Sequence, residues 1–324
     1  MAKAANTING KAFEYACLQA LLSRLQTEGK SVTILSNKPF LTAESSFNSV
    51  SDRERGYLVS AARTAVKLLV PLEPKLLNGK GTLQLEIAAD AAAIGSAGDV
   101  RDVLCVRDEE DVPWTIGISC KHNHEALRHP RITEGKDFGT DWIGTRCDKS
   151  FIDAVTPVTD MLISYGENKT PWRLIEAKQD RYYMPILQAY LTEIRRMCEA
   201  DPGIPERLLS YFFGANDFYK VIMKSSSRTT TIEGFNMHGT LNAPCGKAKA
   251  LTKVPAIKMP TRLIDAAFKP NSKTTIILTF DGGWAISMRL HNKDEIARPT
   301  SLAWDVNLVG LPPTTYVNTH SWDE

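Results

Sequence analysis

Residues 98–131 read GDVRDVLCVRDEEDVPWTIGISCKHNHEALRHPR, and the interpretation of the chain turns on them. Two short runs rich in β-branched residues, 103–106 and 114–120, flank a charged loop at 107–113. Such runs favour strands, so the stretch is expected to form a hairpin. Asp102 enters the first strand and Lys121 leaves the second. Three of the six histidines of the chain, His122, His124 and His129, lie in the dense polar run that follows.

Antiparallel pairing about the loop would set Val106 opposite Gly117 and Asp102 opposite Lys121. A slip of a residue leaves both charges at the same end of the ladder. Side chains alternate along a strand. Trp114, Ile116, Ile118 and Cys120 should therefore point into a core, and Thr115, Gly117, Ser119 and Lys121 the other way. The second face is small and polar until it reaches the lysine. An open polar pocket beside an Asp–Lys pair suits phosphodiester hydrolysis. A carboxylate holds a divalent cation that polarises phosphate and activates water, and a lysine orients the water or offsets charge.

An acid at one strand start and a lysine at the end of the next resemble the PD-(D/E)xK nuclease superfamily. More narrowly, GDVRDVLCV followed by IGISCKHNHEALRHPR is similar to the HaeIII-type restriction endonucleases, which cleave GGCC in duplex DNA. Looser similarity runs through SYFFGANDFYKVI to FDGGWAISMRLHN. The resemblance implies Asp102 as the metal-binding carboxylate, Lys121 as the catalytic lysine and the backbone carbonyl of Cys120 as a further Mg²⁺ ligand. It also implies double-stranded DNA as substrate and a homodimer on a palindromic site. One position departs from the pattern. The superfamily's second acid falls at Ser119, and a hydroxyl is a poor substitute for a carboxylate on Mg²⁺. Glu86, on an expected helix ahead of the hairpin, is the first candidate to replace it. Glu125 is the second, and Asp99 could replace Asp102 if the strand starts earlier.

The letters HNH at His122-Asn123-His124 are read as coincidence, since HNH nucleases spread their catalytic residues over a ββα-metal fold. His122 is instead a candidate for the active site itself. His122 and His124 would bind phosphate, contact bases with Asn123, or cap a following helix. Arg128 and Arg131, on that expected helix, would contact backbone phosphate. Glu176-Ala177-Lys178 is a rival acid-x-Lys without a preceding acidic strand.

Outward from the hairpin, apolar residues at helical spacing predict helices over 9–28, 51–72, 150–162, 184–200 and 204–213. The alanine-rich run 82–94 is expected to be helical by propensity. Strands are expected at 31–35, 218–223, 274–280, 284–290 and 302–309, with Asp281-Gly282-Gly283 as a hairpin turn. The fold class is α/β: a restriction-endonuclease-like mixed sheet flanked by helices, with a β-rich C-terminal part. The expected division is a nuclease body over 1–223, with its catalytic core around 82–131, and a basic DNA-recognition region over 224–324.

Composition sets outer bounds. The 324 residues are 43% hydrophobic and 23% charged with net charge +2, typical of a globular protein. The basic residues are unevenly spread: positions 224–273 hold nine Lys/Arg against two acids, a local field suited to phosphate. In the same C-terminal part, Arg289, Asn292 and Lys293 have the side chains that read base edges. The six cysteines form no C-x-x-C pair, which excludes zinc-knuckle and thioredoxin-like motifs. No apolar run approaches the roughly 20 residues of a membrane span, and the opening MAKAANTINGKAFEYACLQALL lacks a secretory signal's apolar segment, so a cytoplasmic location is expected. No G-x-x-x-x-G-K-[ST] or G-x-S-x-G occurs, against an ATP-driven motor or an α/β-hydrolase. A degenerate DNA-binding regulator and a low-specificity repair nuclease remain as alternatives to a restriction enzyme.

Overall fold

The structure is a computed structural model that describes residues 2–89, 99–108, 113–123, 126–128, 130–132 and 137–322. Contacts divide the chain into two discontinuous compact units. One holds Met1–Glu125, Asn216–Ile257 and Thr314–Glu324; the other holds Ala126–Ala215 and Lys258–Pro313.

The first unit is built on a seven-stranded mixed sheet in the order β1-β2-β3-β4-β6-β7-β12. Its strands are β1 (Val32–Ile34), β2 (Leu83–Ile87), β3 (Val103–Arg107), β4 (Trp114–His122), β6 (Phe218–Lys224), β7 (Thr229–Phe235) and β12 (Tyr316–Ser321). The hairpin β3–β4 is antiparallel, and β4 then pairs with β6 in parallel. Helices α1 (Ala2–Thr27) and α3 (Asp52–Leu69) cover one face. Phe13, Leu18 and Leu21 of α1 and Leu58, Ala62 and Leu69 of α3 pack there on Leu85, Val103, Ile116, Ile118 and Val221. Helix α2 (Lys38–Ser49) is capped by Asn37, whose side chain accepts the Phe40 N–H at 2.8 Å. A short α4 (Pro74–Asn78) leads into β2. Arg107 at the end of β3 is buried. Its guanidinium donates to the carbonyls of Lys75, Leu76 and Gly81 at 3.1, 2.9 and 2.6 Å, which clamps the entry to β2. A Cβ at Gly79 would come within 2.6 Å of Arg107 Nε, so only glycine lets the clamp close.

The second unit carries a five-stranded antiparallel sheet, β5-β11-β10-β9-β8. Its strands are β5 (Ala126–Arg128), β8 (Leu263–Phe268), β9 (Thr275–Phe280), β10 (Ala285–Asn292) and β11 (Leu302–Gly310). Helices α5 (Lys149–Glu167), α6 (Met184–Ala200) and α7 (Ile204–Phe213) belong to the same unit. An aromatic cluster of Phe138, Trp142, Tyr190 and Trp304 forms part of its core.

The mixed sheet with flanking helices agrees with the α/β expectation. Helices α6 and α7 have the boundaries expected from their periodicity, and Asp281–Gly283 joins β9 to β10 as the hairpin turn. Four expectations need correction. Residues 83–87 form a strand, not a helix. Leu83, Leu85 and Ile87 alternate into the core, and pairing with β1 and β3 outweighs the helix propensity of the neighbouring alanines. No helix carries Arg128 and Arg131: Arg128 lies in β5, and Arg131 bridges to Ala303. The hairpin register sets Val106 opposite Thr115 and Leu104 opposite Gly117. The border drawn at 223 is replaced by interleaved units, because β6, β7 and β12 return to complete the first sheet.

Candidate active site

The site lies on the face of the first sheet opposite α1 and α3. Strand alternation on β4 assigns the faces as expected: Ile116, Ile118 and Cys120 are in the helix-covered core, and Ser119 and Lys121 are on the other side. Asp102 sits one residue before β3, where its N–H donates to the Ile118 carbonyl at 2.8 Å. Its Oδ2 accepts the Cys120 N–H at 2.7 Å and the Ser119 hydroxyl at 3.4 Å. Lys121 Nζ stands 3.9 Å from the same oxygen. That distance is an ion pair without a hydrogen bond, so the ammonium retains its donors for a ligand. Both side chains are partly screened, with 24% of Asp102 and 13% of Lys121 exposed. The Cys120 N–H faces β3, and the carbonyl of a strand residue points to the same side as its N–H. The Cys120 carbonyl is thereby directed toward the Asp102 side.

Ser119 is buried, and its hydroxyl serves Asp102 rather than replacing a missing acid. Glu86 lies on β2 and not on a helix. It pairs with Leu104, which pairs with Gly117, so all three share the Asp102 face. Ala88, one residue past β2, lies beside Asp102, its N–H donating to the Asp102 carbonyl at 2.9 Å. Glu86 is therefore one diagonal step away, roughly 7–8 Å between Cα positions. Asp99 is bound to Arg101: Nε donates at 2.9 Å to Oδ1 and Nη2 at 2.7 Å to Oδ2.

His122 does not join this group. Alternation turns it to the helix-covered face, where Nε2 lies 2.7 Å from Glu54 Oε1 on α3. Asn123 adopts a left-handed backbone with φ 58°, and its Oδ1 accepts the Ser225 N–H at 2.8 Å. It thereby ties the end of β4 to the β6–β7 turn. His124 and Glu125 lie outside the described residues, as does the side chain of Arg128.

Two polar residues of this face were not anticipated. Ser119 pairs with Lys220 on β6, and Lys220 pairs with Glu233 on β7. Lys220 is almost fully buried, 3.4 Å from Glu233. A lysine inside the apolar run FYKVIM was the available signal, but its place beside Ser119 depends on the parallel β4–β6 pairing.

The remaining expected DNA contacts belong to the second unit. Arg131 pairs with Asp294 at 2.8 Å and also donates to the Thr300 carbonyl at 2.8 Å. Lys293 N–H donates to Ser301 O at 2.7 Å, and Asn292 Oδ1 accepts the Tyr183 hydroxyl at 3.3 Å. The three are thus gathered around the β10–β11 turn. Arg289 lies farther along β10, paired with Asp305 on β11 at 3.1 Å. The nine basic residues of 224–273 are all exposed, but five fall in the first unit and four in the second. The rival Glu176 and Lys178 lie between two helical turns, Trp172–Leu174 and Gln179–Tyr183, with no strand before them.

Among the described residues no group of three or more His, Cys, Asp or Glu side chains forms a metal cage. The donors present still suit a hard cation. Mg²⁺ is usually held by one or two carboxylates, with water and substrate phosphate completing its shell. A carboxylate fixed by a backbone N–H and a main-chain carbonyl beside it are oxygen donors of that kind.

The profile of the HaeIII restriction endonuclease family matches residues 10–312. The chain belongs to this family. It is 37% identical over 317 residues to the Type II restriction enzyme HaeIII of Haemophilus aegyptius, covering 98% of both chains. No solved structure gives a significant match. Membership of the HaeIII restriction endonuclease family makes the chain a site-specific endonuclease acting on DNA, with a divalent metal as cofactor. The degenerate-regulator and repair-nuclease alternatives are set aside on this ground. The mixed α/β sheet is consistent with a restriction-endonuclease fold. Among the described residues no helix is long and apolar enough to cross a membrane.

Proposed function

We propose that the chain is a Mg²⁺-dependent Type II restriction endonuclease that cuts duplex DNA at GGCC, with Asp102 and Lys121 as its cleavage centre. The observation that carries the assignment is the convergence of Lys121, Ser119 and the Cys120 N–H on one oxygen of Asp102. Asp102 and the Cys120 carbonyl would hold the cation, with Glu86 from β2 as the second carboxylate and Glu125 as the alternative. When bound, the metal supplies Lewis-acid polarisation of the phosphate and lowers the pKa of water. Ser119 and the Cys120 N–H fix the Asp102 carboxylate. Lys121, on the same face, places a positive charge where the phosphate gains negative charge, and its N–H donors orient the attacking water. Hydrolysis breaks the P–O3′ bond and leaves 5′-phosphate and 3′-hydroxyl ends.

Arg131, Arg289, Asn292 and Lys293, with Asn123, His124 and Arg128, are proposed to contact DNA, the arginines and Lys293 toward guanine or phosphate and Asn292 toward base edges. A palindromic target needs two cleavage centres, which favours a homodimer. The six free cysteines suit the reducing cytoplasm. Incubation of a plasmid with Mg²⁺ or with EDTA tests the reading. Discrete fragments ending at GGCC are expected only with the metal, and Asp102→Ala and Lys121→Ala should give none. A smear, full cutting by either variant, or no cutting under any divalent metal would overturn it.

A further inference from the structure

Arg101 lies immediately before Asp102, yet its side chain does not point away from the site. A Cβ added at Gly117 would overlap the Cβ, Cγ and Cδ atoms of Arg101. The missing Cβ of Gly117 points to the Ser119–Lys121 face, so the arginine stem lies flat on that face, two residues along β4 from Ser119. Any larger residue at 117 would displace it. The guanidinium is then fixed by Asp99 through Nε and Nη2. Asp99 Oδ2 also lies 3.5 Å from Asn216 Nδ2. No acceptor among the described residues meets Nη1, and 12% of the side chain is exposed. A planar donor group is thus laid along the floor of the site, oriented by a carboxylate and with one edge unused. That geometry suits bidentate binding of a phosphate.

We propose that Arg101 binds the reacting phosphate of the DNA, with Asp99 as the residue that orients it and Gly117 as the residue that makes room for it. The inference rests on Asp102 and Lys121 being the cleavage centre. It adds a second cation from the β3 side to the one that Lys121 supplies from β4.

The test compares wild type with Arg101→Ala, Arg101→Lys and Gly117→Ala. Single-turnover cleavage in Mg²⁺ should fall on the order of 10²-fold for Arg101→Ala, with partial recovery in Arg101→Lys. Gly117→Ala should reproduce much of the loss while every charge is kept. The second readout is affinity in Ca²⁺ for two duplexes, one normal and one with a neutral methylphosphonate at the reacting phosphate. Wild type should prefer the charged duplex by about tenfold, and Arg101→Ala should lose that preference. An Arg101→Ala protein that cleaves within about threefold of wild type, or that keeps the preference, overturns the proposal. So does a loss of rate that comes with retained preference and a lowered melting temperature, since that pattern marks a purely structural role. Wild-type activity in Asp102→Asn and Lys121→Ala would instead sink the assignment of the site itself.

Discussion

Replacing Glu73 by Gln should flatten the pH dependence of stability. Glu73 precedes α4 and is 0% exposed. Its Oε1 accepts the Tyr219 hydroxyl and the Asn242 N–H, each at 2.6 Å, and its Oε2 has no hydrogen-bond partner among the described residues. Burial pushes the carboxyl up from 4.5 to about 7, against the pull of those two bonds and of Lys75. Between these values the folded chain keeps a proton that the unfolded chain releases. The folded state binds more protons there, so stability falls as pH rises through the window and levels off above it. At about 1.4 kcal/mol per pH unit, the gap from 4.5 to about 7 amounts to roughly 3 kcal/mol. Urea unfolding followed by tryptophan fluorescence, at steps from about pH 5 to pH 8, measures it. Other groups titrate over this range, so the wild-type-minus-variant difference is the quantity to follow. Glu73→Gln should gain on wild type by up to roughly 3 kcal/mol as pH rises. A difference that stays constant within about 0.5 kcal/mol would show that the carboxyl is already ionised in the folded chain at low pH.

Ser119→Ala should slow cleavage by less than about tenfold, because its 3.4 Å bond is long and the 2.7 Å Cys120 N–H still fixes Asp102. A loss of about 10³ in single-turnover rate would mean that the hydroxyl touches the reaction. Glu86→Gln should weaken Mg²⁺ activation, raising the metal concentration for half-maximal rate by about tenfold or more. An unchanged metal titration would remove Glu86 as the second carboxylate and turn attention to Glu125. His122→Gln should cost about 1 kcal/mol through the lost Glu54 contact and leave the cleavage rate within about threefold, since the ring faces α3. A collapse of activity with the melting temperature unchanged would place His122 in the chemistry.

Much of the candidate centre was legible in the sequence because strand alternation is a local rule. The spacing within 114–121 was enough to send Ile116, Ile118 and Cys120 to a core and Ser119 and Lys121 to the opposite face. The same rule, applied past Lys121, turns His122 toward α3, and the polar composition of the run concealed it. Residues 83–87 show the limit of propensity, while 90–94 of the expected helix lie outside the described residues. Alanine content favoured a helix, whereas the two-residue alternation of Leu83, Leu85 and Ile87 found partners in β1 and β3. That pairing carried Glu86 from an expected helix onto the sheet face that bears Asp102.

Local periodicity thus determined by itself that a hairpin would bring Asp102 and Lys121 to one end and one face. It also determined most of the helices, whose apolar stripes are written within each segment. Only the tertiary structure decided which distant strands lie beside that hairpin. The parallel pairing of β4 with β6 spans about a hundred residues, and no local pattern encodes a partner at that range. This pairing set Lys220 beside Ser119 and split the expected C-terminal region between two units. The fold of Arg101 back over Gly117 is likewise a matter of packing, since a glycine in a strand states only that something approaches closely, not what it is.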